Sequence, residues 1–452
     1  MMLGRFFRSK SKTIAAYGAT YQRRLEEKAA AARTIYDDAR DYHRAHPPGK
    51  MATIPTKPLG SPADLALAYS PGVAGPCREI AVTPGAARDL TAKGSTVAVI
   101  SNGTAVLGLG DIGALAAKPV MEGKSALFHK FAGLNSVDLC INESDPEKLA
   151  EMIIALEPSF GGVNLEDIKA PDCFTVEEIC RSRMKIPVFH DDQHGTAVVV
   201  LAALQNALEL TGRSLADARI VTSGAGAAAL ACVELVVSAG ARLDNIILTD
   251  RDGVVYRGRR KAMDPRKARL ASTTRGRNLA DVIKGADVFL GLSVGGVLAP
   301  AMVETMAAKP IIFALANPDP EIWPEDAREI APEAVIATGR SDYPNQVNNV
   351  LCYPFLFRGA LDCGAVEITE GMKLAAASAI GEMARRPSDP AVRAFYSDET
   401  LEFGGQYILP KPFDPRLLPA VASAVADAAA REGVAARPIA DLDEYRRELA
   451  ER

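Results

Sequence analysis

The sequence predicts an α/β fold built on a Rossmann-like, doubly wound parallel sheet, and three observations carry that expectation. From Ala197 onward, short apolar runs alternate with helical stretches, as in a parallel sheet whose crossovers cover both faces. Two apolar runs end in paired carboxylates, Glu166-Asp167 and Asp191-Asp192. A relaxed glycine signature, Gly224-Ala225-Gly226-Ala227-Ala228-Ala229, follows the second pair and opens a helical run.

In chain order, a helix is expected over 21–44 and a Pro- and Gly-containing loop over 46–58, then an apolar stretch, 64–73, ending in a turn. Next come a buried strand at 95–100, a helix and a strand within 125–142, and a helix over 146–156. Strands run into the two acidic pairs; further strands are expected at 219–223, 245–250, 288–291, 311–316 and 334–337. Helices cover 227–239, closed by Gly240, 369–385 with Thr369 as N-cap, and 417–432, ended by Gly433.

Bulk properties exclude several classes. The 452 residues suit two or three domains, and 48% hydrophobic with 24% charged residues is an ordinary globular composition. With 52 basic and 56 acidic side chains the net charge is −4, so nothing favours nucleic acid. No apolar run approaches the ~18 residues of a membrane span. Seven scattered cysteines without a C-x-x-C pair fit a reducing, cytoplasmic setting and argue against zinc or disulfide scaffolding. The first 25 residues carry six basic groups and no acid but lack the apolar core of a secretory signal. They read as a solvated tail, with a transit peptide as the alternative.

The G-x-G-x-x-G pattern also occurs outright at Gly108–Gly113. Pro119 follows it too soon for a long helix to hold a pyrophosphate, so this copy is expected to be a turn shaping a substrate cleft. The copy at 224–229 leads to an unbroken helical run and then to Asp250, placed to hydrogen-bond a ribose 2′-hydroxyl. Asp250 favours NAD, whereas Arg251 suits a 2′-phosphate, so the preference stays open.

Paired carboxylates from two strand ends offer oxygen-only ligation, which suits Mg²⁺ or Mn²⁺. A divalent cation beside a nicotinamide points to oxidation of a hydroxy acid with loss of CO₂. His190 and His194 have a spacing that could suggest zinc, but they flank carboxylates, and structural hydrogen bonds are the expectation.

Longer motifs then carry a resemblance. They are 68–74 (Ala-Tyr-Ser-Pro-Gly-Val-Ala), 103–113, 118–124 (Lys-Pro-Val-Met-Glu-Gly-Lys), 164–171 (Asn-Leu-Glu-Asp-Ile-Lys-Ala-Pro), 190–196 (His-Asp-Asp-Gln-His-Gly-Thr) and 338–349. Over about 42–443 the chain resembles the bacterial malic enzymes. The resemblance implies an N-terminal extension (1–40), a smaller α/β substrate and metal domain (41–195), a nucleotide domain (196–438) and a C-terminal tail (439–452). It implies oxidative decarboxylation of (S)-malate to pyruvate and CO₂, with NAD or NADP reduced and Mg²⁺ or Mn²⁺ required, in a homodimer or higher oligomer. Glu166, Asp167 and Asp192 would be metal ligands with Asp191 beside them, and Tyr69 and Lys124 the acid/base pair. Asn317, Asn348 and Asn349 would contact substrate or the nicotinamide end.

Two departures stand out. Ala105 occupies the position of an arginine that grips a malate carboxylate in animal and plant relatives. The chain stops at Arg452, so a short form without the phosphotransacetylase-like domain of some bacterial relatives is expected.

A lysine base must be neutral, and Lys124, between Gly123 and an apolar stretch, is expected to be partly buried with a depressed pKa. Lys118 is its rival. Asp138 reads as a surface or capping acid. The amide run 345–349 could equally be turn chemistry. The competing functions are another hydroxy-acid or amino-acid dehydrogenase, the latter not needing four carboxylates, and a non-catalytic nucleotide sensor.

Overall fold

The computed structural model describes residues 35–106, 108–396 and 399–452. Residues 35–44 are helical; the rest of the helix expected over 21–44, and the basic leader, lie outside the described residues. The chain docks at Lys50, whose backbone N–H donates to Glu122 Oε2 at 3.0 Å and whose Nζ donates to the Pro119 carbonyl at 2.7 Å. It docks again at Lys93, whose ammonium donates to the carbonyls of Glu157 and Phe160. Between these anchors lie α1 (Pro62–Ala68), capped by Ser61, and α2 (Ala74–Val82), and neither buries a residue.

The first sheet holds β1 (Thr96–Ser101), β2 (Asn135–Cys140), β3 (Gly162–Leu165) and β4 (Val188–His190) in the order β2-β1-β3-β4, all parallel. β1 and β3 are buried along their whole length, as central parallel strands must be when both faces are covered. The order reverses between β1 and β3. Ligand sites in such sheets lie beyond the carboxyl ends of the strands at this reversal.

The 103–113 loop leads into α3 (Ala114–Ala132), a 19-residue helix that runs straight through Pro119. The expectation that Pro119 precludes a long helix is therefore wrong. At the sixth position the ring removes only the hydrogen bond to the Leu115 carbonyl, while the face bearing Ala117, Met121 and Phe128 is fully buried.

β4 passes directly into α4 (Asp191–Thr211), closed by Gly212 in the left-handed region. The boundary placed at 195/196 falls inside this helix. α4 is buried on nearly every side, and one core joins Val97 and Phe128 of the first sheet layer to Val199, Leu230 and Leu248 of the second.

The second sheet has the order β10-β9-β8-β5-β6-β7. Its strands are β5 (Ile220–Ser223), β6 (Ile246–Asp250), β7 (Gly253–Val254), β8 (Val288–Gly291), β9 (Ile311–Ala314) and β10 (Val335–Thr338); only β7 is antiparallel. α5 (Ala227–Ser238) follows β5, which makes this the Rossmann-type half. The strands fall where the sequence places them to within two residues, because each is a short apolar run closed by a turn.

The helix Tyr353–Asp362, buried from Tyr353 to Leu361, is absent from the sequence expectation: Pro354 lies in its first turn, and its one interior charge, Arg358, is paired with Asp362 one turn on. α6 (Glu370–Arg385) is capped by Thr369, whose hydroxyl accepts from Met372 N–H at 3.1 Å, and α7 (Leu417–Arg431) is followed by Gly433 at φ 72°. The expected tail, 439–452, is instead a docked helix, Leu442–Ala450: Tyr445 and Leu449 are buried, and the Tyr445 hydroxyl donates to Asp362 at 2.7 Å. All seven cysteines are free. No described helix is long and apolar enough to cross a membrane.

Candidate metal centre and active site

The carboxyl ends of β1, β3 and β4 meet. The 103–113 loop folds back on itself through hydrogen bonds from Ile112 and Gly113 N–H to the Gly103 carbonyl. Ala105 N–H then donates to the Asp167 carbonyl at 3.0 Å, and Lys169 N–H to Thr104 Oγ1 at 3.0 Å, which zips this loop to the one after β3. Asp167 adopts φ 53°, a left-handed conformation that a short polar side chain tolerates. That turn brings Asp167 N–H to Asp192 Oδ2 at 2.8 Å.

Glu166, Asp167 and Asp192 consequently offer oxygens that all lie within 4.8 Å of one another, the single such group of three among the described residues. Three converging carboxylates with no nitrogen or sulfur donor fit a hard divalent cation. Asp191 and Asp192 occupy the first turn of α4, where the helix dipole favours negative charge. Asn164 Nδ2 orients Glu166 by donating to Oε2 at 2.9 Å.

Lys124, on α3, is buried between acids: its Nζ lies 2.6 Å from Asp191 Oδ2 and 2.9 Å from Glu166 Oε1. It also sits 4.3 Å above the ring of Tyr353. Burial alone would lower its pKa, but Asp191 and Glu166 outweigh burial and raise it well above the ordinary lysine value. The depression expected from burial is thus reversed, because two carboxylates that come from other parts of the chain contact the amine. The acids respond in turn. Burial, partly offset by Lys124, pushes Glu166 and Asp191 up to about 7 and Asp192 up to about 6.

Tyr69 is not brought to Lys124. It caps α1, its side chain is exposed, and no hydrogen bond, ion pair or ring contact joins the two among the described residues. Lys118 stands six positions before Lys124, about 240° round the helix, and pairs with Asp138 instead. His194 bonds Glu177 at 2.6 Å, and fully buried His190 lies 3.8 Å from Asp192. Burial would raise Glu177, but His194 overrides it and holds the acid at about 2, while burial pushes His190 down to about 4.

Of the amides, Asn345 is structural: it donates to the carbonyls of Ile336 and Gly405 and accepts from Ile408 N–H. Asn348 Oδ1 caps the following turn at Val350 N–H, and the Asn349 Cβ borders the Asp191–Gly195 turn. Asn317 follows β9; its side chain packs on Gly339 and its carbonyl on Gly108, so the first glycine signature buttresses this loop.

The second signature opens a cleft of about 870 Å³ bordered by Ser223, Gly224, Ala225, Gly226, Asp250 and Arg251. Gly224 has φ 110°, and a Cβ there would meet the Leu292 carbonyl at 2.3 Å, so only glycine fits. Ala227 and Ala228 begin α5, whose free N–H groups face the turn. Asp250 reaches the cleft but is gripped by Arg259 and Lys267. Buried Glu321 was missed: it accepts from Ser293 N–H at 2.8 Å and Ala316 N–H at 3.0 Å, fixing the ends of β8 and β9. Nothing local marks Glu321, Asn164, Tyr353 or Arg259 as site residues, because each acts through a partner far away or newly turned toward it.

Known proteins match this arrangement. Residues 48–149 fit the family profile described as malic enzyme, N-terminal domain, and residues 193–395 that described as malic enzyme, NAD binding domain. The chain is 60% identical over 405 residues to an NAD-dependent malic enzyme of Rhizobium meliloti, covering 89% of this chain and 52% of that one. It is 53% identical to an NADP-dependent malic enzyme of Halomonas elongata, covering 88% and 94%. The chain thus spans about half the length of the first relative and nearly all of the second. A crystal structure of malic enzyme from Pyrococcus horikoshii superposes with a TM-score of 0.83 at 40% identity, covering 92% of this chain and 96% of that one.

Proposed function

Since the chain belongs to the malic enzyme family, we propose that it oxidatively decarboxylates (S)-malate to pyruvate and CO₂, with NAD or NADP as hydride acceptor and Mg²⁺ or Mn²⁺ as metal. The observation that carries this reading is the convergence of Glu166, Asp167 and Asp192 beside a buried lysine, on a loop whose Ala170 lines the same cleft as Gly224–Gly226.

Glu166, Asp167 and Asp192 would hold the cation, which when bound orients the hydroxy acid and polarises its C2 oxygen. Asp191 and Glu166 fix the Lys124 ammonium on the same cluster. A cation held by Glu166, Asp167 and Asp192 would offset the negative charge that keeps Lys124 protonated, and the Lys124 amine would then be able to accept the C2 hydroxyl proton. Gly224–Ala228 would seat the pyrophosphate, and Asn317, Asn348 and Asn349 the nicotinamide and carboxylate ends.

Tyr69 would return a proton to C3 of the product. We infer that it does so in an oligomer. Leu65, Leu67, Tyr69 and Val82 of the 51–87 arm, with Leu109 and Leu115 at the loop mouth, are exposed apolar side chains, and a second copy of the chain is the occupant that would cover them. The scattered free cysteines support a cytoplasmic setting.

The test is malate-dependent formation of reduced dinucleotide together with pyruvate, abolished by EDTA and restored by Mn²⁺ or Mg²⁺. An amino-acid dehydrogenase would tolerate EDTA, and a nucleotide sensor would bind the dinucleotide without making pyruvate. For the oligomer, mixing inactive Tyr69→Phe with inactive Lys124→Ala restores activity if the two groups come from different copies.

A further inference from the structure

Glu321 is fully buried, yet among the described residues it has no ion-pair partner. A bare carboxylate in such a place is costly unless hydrogen bonds hold it. Oε1 accepts from Ser293 N–H at 2.8 Å and from Ser293 Oγ at 3.3 Å, and Oε2 accepts from Ala316 N–H at 3.0 Å. All three partners are donors, which is the pattern of an ionised carboxylate; a protonated one would need an acceptor for its own hydrogen. Burial pushes its pKa up and these donors pull it back. The end of β8 is shaped to admit it: a Cβ on Gly291 would meet the Glu321 carboxyl carbon at 2.4 Å.

The charge has a path to the cleft. Ser293 spends its only hydroxyl proton on Glu321, so the 2.7 Å contact between Ser293 Oγ and Ser223 Oγ is a donation from Ser223. Both protons run toward Glu321, and the hydroxyl lone pairs are left for the cleft that the two serines border. The sheet order puts β8 and β9 on one side of β5 and β6, with Asp250, on the other. A dinucleotide seated on the turn after β5 lays its adenosine end over β6, so its nicotinamide end lies over β8 and β9, where Glu321 sits.

We propose that Glu321 is a positioning residue whose buried charge, relayed through Ser293 and Ser223, favours the oxidised nicotinamide over the reduced one. The oxidised ring carries a positive charge and the reduced ring none, so a fixed anion behind the cleft wall attracts only the first. Malate oxidation consumes the oxidised form and must release the reduced form, and the same charge serves both steps. The proposal rests on the reading of 224–229 as the dinucleotide turn.

The test is calorimetric titration of the full chain, in EDTA, with NAD⁺, NADH, NADP⁺ and NADPH. Glu321→Gln, a neutral variant of the same size, should cut the oxidised-to-reduced affinity ratio at least about fivefold, with the reduced form bound within about twofold of the parent. A buried charge is little screened, so the shift should persist at raised salt. Ser293→Ala keeps the carboxylate but breaks the relay, and should move the ratio the same way by at least about twofold. Equal weakening of both forms, a ratio that neither variant moves, or a shift that salt abolishes overturns the role of Glu321 while leaving the dinucleotide turn standing. If Glu321→Gln does not fold by circular dichroism, the Ser293→Ala ratio decides alone. A parent chain that binds no dinucleotide overturns both readings.

Discussion

Gly195 lies so close to Asp191 that a Cβ there would fall 1.8 Å from Asp191 Oδ1, with the Cβ of Asn349 at 3.2 Å on the other side. Alanine inside a helix normally gains roughly 0.5–1 kcal/mol over glycine. In α4 the sign should invert. Gly195→Ala must displace the Asp191 carboxylate from Lys124, at about 1–3 kcal/mol by the usual cost of overpacking. A lowered urea midpoint together with impaired malate turnover is the expected result; a stabilised, fully active variant contradicts the packing.

Asp192 both faces the cation position and accepts the Asp167 N–H. Asp192→Asn keeps the size and that hydrogen bond but removes a charge. Mn²⁺ affinity should fall at least about 100-fold, more than removal of a supporting group usually costs. Titration followed by electron paramagnetic resonance measures it, and an unchanged Mn²⁺ isotherm excludes Asp192 as a ligand.

Lys124→Ala removes the cation that Asp191 and Glu166 share. Turnover should drop by about 10²–10⁴, the range for loss of a positioned acid/base group, with dinucleotide affinity within a few-fold of the parent. Circular dichroism must accompany the kinetics, because stripping the partner from buried charges can cost about 3–5 kcal/mol.

The acid cluster also dictates how stability changes with pH. Glu166 and Asp191 are raised to about 7 and Asp192 to about 6 in the folded, metal-free chain, above the ordinary carboxylate value. Between about pH 4 and pH 7 these three acids bind more protons folded than unfolded, so their contribution to stability falls as pH rises. That fall outweighs the single buried His190, held at about 4, whose contribution rises with pH in that window. Glu177, held at about 2, acts oppositely: its contribution is complete above about pH 4 and is lost as pH drops toward 2. In EDTA the midpoint of thermal unfolding should therefore be higher at pH 5.5 than at pH 7.5, to be checked by calorimetry. Mn²⁺, which binds the ionised acids, should erase or reverse that difference.

Much of this was legible from residues alone. Glu166, Asp167, Asp191 and Asp192 announce themselves because strand ends with adjacent carboxylates are expensive unless something binds them. Gly224 and Gly226 are readable because a strand, a glycine turn and a helix follow in immediate succession. What could not be read depends on distance through space. Asp250 looks like a ribose ligand until Arg259 and Lys267, nine and seventeen positions on, close over it. Lys124 looks like a neutralised base until the acids of two other loops meet it. Pro119 looks like a stop because propensity is local, whereas the buried face of α3 is not. Tyr69 carries the motif but sits exposed on an arm whose two helices, α1 and α2, bury no residue among the described residues.

α4 begins at Asp191 in the acid cluster and runs for 21 residues, a rod of roughly 30 Å that is buried through Leu208 in the core shared with the second sheet. Asp191 and Asp192 thus stand on the foremost turn of a beam clamped along most of its length, so the distance between these two carboxylates is inherited from the core and not from the loops that meet them.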